Sequence, residues 1–343
     1  MSARQTIIPV FVPHVGCPND CVFCNQRRIS GAVRPITPEE LSRTICEGAA
    51  VTPNGVERQL AFYGGSFTAI PVEAQTALLE AAQPYLADGT LSSLRLSTRP
   101  DAIDEEILLR LRRYGVRTIE LGAQSMDDTV LTLAGRGHTA ARVKAAAAMV
   151  KAYGFELILQ MMTGLPGDED GEASLMTART IVTMKPHGVR IYPTVIVRDT
   201  ALYEQWKAGS YKEHTVETAV ELCARIVPIF QEAEIPIIRL GLNPTEDLSA
   251  GDAAAGAYHP ALGEMVRSRM MLNTVRSRLE GCERGSRVLI EVGKGKTSQM
   301  IGQKRCNVKA LQAEFGLAEL KIREIDRKTD EIFVNFIANL KEM

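Results

Sequence analysis

The chain has 343 residues, 45% of them hydrophobic, and 40 Lys and Arg against 41 Asp and Glu give a formal net charge of −1. That length and apolar content suffice for one large domain or two modest ones with a sizeable core. Near-neutrality excludes recognition of nucleic acid or membrane by bulk charge, so any charged partner must be met by a local patch.

The opening stretch MSARQTIIPVFVP has an apolar run but lacks a clear signal core with a small-residue cleavage site. No stretch approaches the roughly 20 apolar residues of a membrane span. The expected setting is cytoplasmic, with no membrane. Seven cysteines are an odd number, and three of them crowd together, so reduced thiols binding a metal are expected rather than a disulfide framework.

Short apolar, β-rich runs at 6–13, 59–65, 93–98, 117–125, 155–164, 188–197 and 235–242 each read as a buried parallel strand. Helical patterns lie between them, such as 37–49, where Thr37 and Glu40 make a capping box, and 72–86. This alternation predicts an α/β chain closed into a full or partial (β/α) barrel over 1–242, with a doubly wound open sheet as the alternative. After Leu242 the pattern changes. Residues 243–286 read as loop and then helical connection, and 287–343 as a small C-terminal α+β domain in the order strand, helix, strand, strand.

GCPNDCVFC places Cys17, Cys21 and Cys24 in a C-x3-C-x2-C pattern just after the first strand. In a barrel, the loops that follow strands line the catalytic face. A structural zinc site with His14 as fourth ligand fits a Cys3His set. The other reading is a four-iron, four-sulfur cluster held by three cysteines, with one iron open to a small molecule. Loop placement and the uneven spacing favour iron. Further motifs fall at the ends of later strands: FYGGSF (62–67), STRPD (97–101), GAQS (122–125) and QMMTGLPG (160–167).

The cysteine spacing resembles the signature of the radical S-adenosylmethionine (SAM) superfamily. That resemblance implies a partial barrel, a [4Fe-4S] cluster on Cys17, Cys21 and Cys24, and SAM chelated to the open iron, cleaved reductively to abstract hydrogen from a substrate. It also implies a cofactor lining of Phe23, Tyr63, Gly64, Gly65, Ser66, Ser97, Arg99, Gln160 and Met162. Gly64 and Gly65 resemble the family's Gly-Gly-Glu motif, with Ser66 where Glu is common; glycines permit close backbone approach. Ser97 and Arg99 suit ribose hydroxyls and a carboxylate.

GAQSMDDTVLTLAGRGHT (122–139), QMMTGLPG and IYPTVIVRDTALYEQWKAGSY (191–211) resemble the branch that holds the catalytic subunit of Elongator and its short bacterial relatives. Oxygen-independent coproporphyrinogen oxidases are similar at greater distance. On that resemblance Gln124, Arg136 and His138 face substrate or cofactor from the fourth βα loop, and Tyr192 and Arg198 from the sixth. A helix-start histidine satisfied by its own turn is the alternative for His138. The implied substrate is a tRNA nucleoside or a tRNA-related modified base, and the implied partners are tRNA and a reductant such as flavodoxin or ferredoxin. Queuine lyase-type salvage of a free 7-deazaguanine and a non-catalytic metal-containing RNA-binding module are the alternatives. Roughly 100 residues after the barrel are too few for Elongator's acetyltransferase domain, so acetyl transfer is not expected. Cys46, Cys223, Cys282 and Cys306 are scattered; Cys46 and Cys223 read as buried structural thiols, with Cys282 and Cys306, which share the C-terminal region, set apart as exceptions.

Two stretches remain. Over 287–309, Arg287, Lys294, Lys296, Lys304, Arg305 and Lys309 face only Glu291, a local charge of +5. Strand, basic glycine-containing loop and helix is how an RNA clamp of the KH type begins, although IGQKR lacks the second glycine of Gly-x-x-Gly. A solvated charged face is the plainer account. In GAYHPALGE (256–264), Tyr258 and His259 either cover the barrel mouth or belong to a helix-entry loop with Pro260 in its first turn.

Overall fold

Seven of the strands run the same way in one sheet: β1 (Gln5–Val12), β2 (Glu57–Gly64), β3 (Ser93–Thr98), β4 (Val116–Gln124), β5 (Glu156–Thr163), β6 (Gly188–Pro193) and, after a separate β7 (Val195–Val197), β8 (Ile237–Leu240). The computed structural model describes residues 5–12, 21–25, 34–53, 55–242, 253–327 and 329–337. Neighbours in the sheet follow chain order, β1-β2-β3-β4-β5-β6-β8, and every pair is parallel. A doubly wound sheet would reverse its strand order at a switch point, and this one does not. It is a curled half-barrel wrapped by helices, because each parallel connection needs a crossover and the crossovers cover the apolar outer face.

Local chemistry sets the helices. Thr37 caps Pro38–Val51 through the expected box: Glu40 N donates to Thr37 Oγ1 at 3.3 Å, and Thr37 N donates to Glu40 Oε2 at 3.0 Å. Asp104, Asp127, Thr139 and Thr200 cap later helices more simply, each side chain accepting from backbone N–H groups of the first turn. The pattern at 72–86 divides into Val72–Ala81 and Gln83–Ala87. Pro84 is the cause, since a proline at that point can neither donate to nor pack against the turn before it.

The run at 188–197 is likewise two strands. Thr194 turns the chain, its N–H and Oγ1 both donating to Thr163 O at 3.0 and 2.7 Å. Beyond it, β7 leaves the sheet and pairs antiparallel with β9 (Ala253–Gly256), a strand inside a stretch that reads as loop. Gly256 has φ +91, and a Cβ there would lie 2.9 Å from Thr194 O. Only glycine fits that close approach.

The described chain divides into two compact units, Met1–Thr215 with Pro228–Tyr258, and Val216–Val227 with His259–Met343. In the second, β10 (Arg287–Val292) lies between parallel β11 (Glu319–Glu324) and antiparallel β12 (Ile332–Phe336). Two helices, Thr297–Ile301 and Cys306–Phe315, stand where one is expected. Leu272, Val275 and Leu279 from helix Leu262–Leu279 share one core with Val288, Ile290, Val292, Met300 and Leu311. The segment read as a helical connection thus builds the C-terminal core. His259 belongs to that helix's entry: its Nδ1 accepts from Ala261 N at 3.0 Å. Tyr258, in the first unit, packs with Val195 and Val197. Of the scattered cysteines Cys223 is buried and Cys282 half-buried, while Cys46 and Cys306 are exposed, so the expectation of a buried structural thiol holds at Cys223 and fails at Cys46. Among the described residues, no helix is long and apolar enough to cross a membrane.

Leu279 is fully buried in the C-terminal core. Leu279→Ala is therefore expected to cost about 2–5 kcal/mol in denaturant unfolding. A loss below about 0.5 kcal/mol would mean that the helix is only a connector.

Candidate active site

The parallel sheet brings the ends of β1 to β6, and the turns that follow β2 to β6, to one rim. Cys21 and Cys24 lie in a single tight turn there, Cys24 N donating to Cys21 O at 2.9 Å. Cys17 and His14 fall outside the described residues, so the full triad and the zinc alternative's fourth ligand are not seen together. Two backbone bonds moor the cysteine turn: Val22 N donates to Ala134 O at 3.1 Å, and Leu202 N donates to Val22 O at 2.8 Å. Val22 and Phe23 pack into two apolar clusters, one with Val130, Ala134, Leu165 and Met162, the other with Ile196, Leu202 and Tyr211. The thiols are thereby placed beside the ends of β4 and β5 by side chains far away in sequence.

Arg136 joins the cysteine turn to the sheet. Its Nη1 donates to Cys21 Sγ at 3.3 Å and its Nη2 to Gly122 O at 2.8 Å. Thiolate is the metal-ligating form of cysteine, and a guanidinium is the donor type that matches an anionic sulfur. Two neighbouring thiols with a cationic donor therefore fit a metal centre.

β4 ends under strain. Gln124 has φ +65, at a break in register with β5, and its buried Oε1 has no hydrogen-bond partner. A left-handed non-glycine residue costs roughly 1–2 kcal/mol, and an unpaired buried oxygen adds to it. Such costs persist where a site uses them. His138 shares the region, with Nε2 3.3 Å from Ala123 O and Nδ1 unbonded, 3.9 Å from Asp101 Oδ1. Burial, helped by the Arg136 charge, brings its pKa down to about 4, so the imidazole is neutral near pH 7.

The concave face supplies the rest. Along β5 and β6 the alternation of burial turns Gln160 and Met162, Arg190 and Tyr192 to one side, in register Gln160↔Arg190 and Met162↔Tyr192. Ser97 and Gln160 have no side-chain hydrogen bond among the described residues, and burial pushes the Tyr192 phenol up. Gly64 has φ +98, and a Cβ there would lie 2.6 Å from Val12 O; Gly65 N donates to Val12 O at 3.2 Å. Gly65 is buried and Ser66 half-exposed beside it. The FYGGSF turn thus hugs the end of β1.

Two further expected residues have contacts of their own. Arg99 is 3% exposed, paired with Asp101 at 2.9 Å and donating to Arg136 O at 2.9 Å. It braces the β4 loop from below. Arg198 is exposed, with its guanidinium 5.9 Å from the Tyr203 ring.

A buried network spans the concave face that no motif marks. Glu120 accepts from Tyr63 Oη at 2.9 Å, Arg95 Nη1 at 3.0 Å and Arg190 Nε at 2.7 Å. Burial opposes the Arg190 charge, but Glu120 more than offsets it, and burial with Glu120 holds the Tyr63 phenol protonated. The signal was present as lone charges inside apolar strands, in SLRLS, TIELG and GVRIY. Such a charge must find a partner on a neighbouring strand.

Comparison with known proteins fits this geometry. The family model for the radical SAM superfamily matches residues 11–177, and that for the radical SAM C-terminal domain matches 186–271. Elongator complex protein 3 of Homo sapiens is 28% identical over 226 residues, 60% of this chain and 40% of that protein. The tRNA uridine(34) acetyltransferase of Methanocaldococcus jannaschii is 27% identical over 255 residues, 68% of this chain and 46% of that one. The chain thus spans less than half the length of these relatives. The structure of archaeal Methanocaldococcus infernus Elp3 superposes with a TM-score of 0.61 at 22% identity, covering 83% of this chain and 67% of that one, which shows a shared fold.

Glu120→Gln leaves Arg95 and Arg190 buried without their countercharge. The expected cost is about 3–5 kcal/mol in denaturant unfolding, as for breaking a buried ion pair from one side. A loss below about 1 kcal/mol would mean that water, not Glu120, satisfies the two arginines.

Proposed function

The chain belongs to the radical SAM superfamily, and from that premise we propose that it abstracts hydrogen from a nucleoside of tRNA, within an anaerobic or reducing cytoplasm. The family uses a [4Fe-4S] cluster and SAM. On this reading Cys17, Cys21 and Cys24 hold the cluster, and Gly64, Gly65, Ser66, Ser97, Gln160 and Met162, with Phe23, Tyr63 and Arg99 around them, line the SAM site. Bound there, the pair supplies reductive cleavage of a sulfonium bond and hydrogen abstraction.

The residues of the chain do the positioning. Arg136 ties the sulfur of Cys21 to the end of β4, so the cysteine turn and the strained Gln124 keep one geometry. Gln124 offers an unpaired oxygen to an ammonium or hydroxyl group. His138 stays neutral at neutral pH and is a weakened base in its buried setting. Tyr192, next to Arg190 on the concave face, and Arg198 at the rim are the substrate-side residues. The single observation that carries this reading is the strained, unsatisfied Gln124 beside the Arg136–Cys21 contact. The tRNA class is supported by the relatives: one is named for a tRNA uridine, and the barrel regions resemble Elongator. A flavodoxin or ferredoxin is the class of donor that would reduce the cluster.

Two outcomes test it. Cys21→Ala, reconstituted anaerobically, is expected to lose its iron–sulfur absorbance and all SAM cleavage; protein carrying about one zinc and no sulfide would overturn the cluster. Wild type with SAM, dithionite and tRNA should form 5′-deoxyadenosine and a mass change in tRNA nucleosides. Turnover with a free 7-deazaguanine base, and none with tRNA, would move the substrate to base salvage.

Gln124→Gly relieves the left-handed strain and should leave unfolding stability within about 1 kcal/mol of wild type. It also deletes the unpaired amide, so SAM affinity of the reconstituted protein should fall about tenfold. Unchanged affinity would make Gln124 architectural.

A further inference from the structure

The C-terminal unit carries a surface that the chemistry in the barrel does not use. Between neighbouring, parallel β10 and β11 the chain forms helix Thr297–Ile301, the loop Gly302–Arg305 and helix Cys306–Phe315. Met300 and Leu311 place both helices on one side of the sheet, against Val288, Ile290 and Val292. Strand, helix, short glycine loop, helix, strand is the framework on which KH modules clamp a nucleic-acid backbone.

The loop is held in shape from beneath. Asn307 is 3% exposed and its Nδ2 donates to Ser268 Oγ at 2.9 Å and Met300 O at 3.1 Å. Gly302 has φ +74, and a Cβ there would sit 2.6 Å from Cys306 Sγ. Lys304 and Arg305 are both left-handed, at φ 51 and 62. Arg305 occupies the place of the second glycine of a Gly-x-x-Gly loop and takes a glycine's conformation. The loop therefore keeps its turn and gains a cation. Gln303, Lys304, Arg305 and Cys306 are all exposed above it.

Charge pairing picks out the same spot. Of the six cations that give 287–309 its excess, Arg287 pairs with Glu319, Lys294 with Asp326 and Lys296 with Asp330. Their partners come from 319–330, beyond the stretch in which the excess is counted, and Glu291 is taken up by Arg323. Lys304, Arg305 and Lys309 have no acidic partner among the described residues, and all three are exposed on the loop and the first turn of the helix after it. The exposed loop residues include no large apolar side chain of the kind that inserts in a membrane.

We propose that Gly302–Arg305 and Lys309 bind the sugar–phosphate backbone of a single-stranded RNA segment, with Lys304, Arg305 and Lys309 as the phosphate contacts. Binding at this surface does not depend on the radical chemistry; only its role in delivering substrate rests on the tRNA reading. The preformed loop lowers the ordering cost of binding, and cations already free of acidic partners add contact without first breaking an ion pair.

The test uses full-length, cluster-reconstituted protein and fluorescence anisotropy with a single-stranded RNA of about ten nucleotides and with tRNA, over about 50–200 mM salt. Lys304→Gln/Arg305→Gln/Lys309→Gln should weaken binding at least tenfold and flatten the log–log salt slope by about 2, since each single-strand phosphate contact contributes roughly 0.7. Lys294→Gln/Lys296→Gln should change both little. Arg305→Gly, which suits the left-handed position and so protects the fold, should remove about one contact's worth of slope. Equal losses in the triple and the double variant would overturn the proposal, as would an unaltered triple variant or equal affinity for heparin and RNA. A failed surface leaves the RNA affinity of the triple variant at the wild-type value; a failed substrate reading leaves tRNA bound but unmodified.

Discussion

The parallel direction of the main sheet is the constraint on which the site depends. With strands β1 to β6 aligned in chain order, their ends all reach the same rim. Nothing in the local sequence of the cysteine turn puts it beside Gln124. Parallelism does, and Arg136 then fixes the spacing by gripping a strand carbonyl and a sulfur with one side chain. Within the half-barrel, Glu120 performs the matching task across the strands, binding groups from β2, β3 and β6 to one carboxylate.

The cost of this arrangement is concentrated. Gln124 is at once off the usual backbone map and unsatisfied, while the residues around it are tied down: Arg99 by Asp101, and the loop after β5 by Asp168, which accepts from Gly164 N and Ser174 N. His214 closes over the same loop so tightly that a Cβ on Gly164 would lie 2.1 Å from its ring. A rigid frame around one strained residue is what a preorganised site requires.

Much of this was legible in the sequence where the signal is local. The strand runs, the Thr37–Glu40 box and the motifs at strand ends all depend on spacing along the chain, and the structure places those motifs at the expected rim. The barrel, not an open sheet, followed from counting βα units. What was not legible depends on partners distant in sequence. Glu120 meets Arg95 and Arg190 across 25 and 70 residues. β7 reads as the end of one long strand at 188–197 and β9 as loop; their antiparallel pairing with each other sets both. The basic excess at 287–309 looked uniform until half of its cations met acids supplied by later strands and turns. Pro84 shows the reverse: a local breaker divides the helix although the hydrophobic pattern runs on through it.

The first unit is discontinuous in the chain: it leaves at Thr215 and resumes at Pro228, and its last sheet strand, β8, comes after that excursion. During synthesis, therefore, β6 emerges well before the strand that covers its outer edge. Until Ile237–Leu240 arrives, the backbone N–H and C=O groups along Gly188–Pro193 stand open on one side, flanked by apolar Val189 and Ile191. An open apolar edge is a template for pairing with another chain. A fragment ending at Thr215 would lack β8 and leave that edge open to intermolecular pairing.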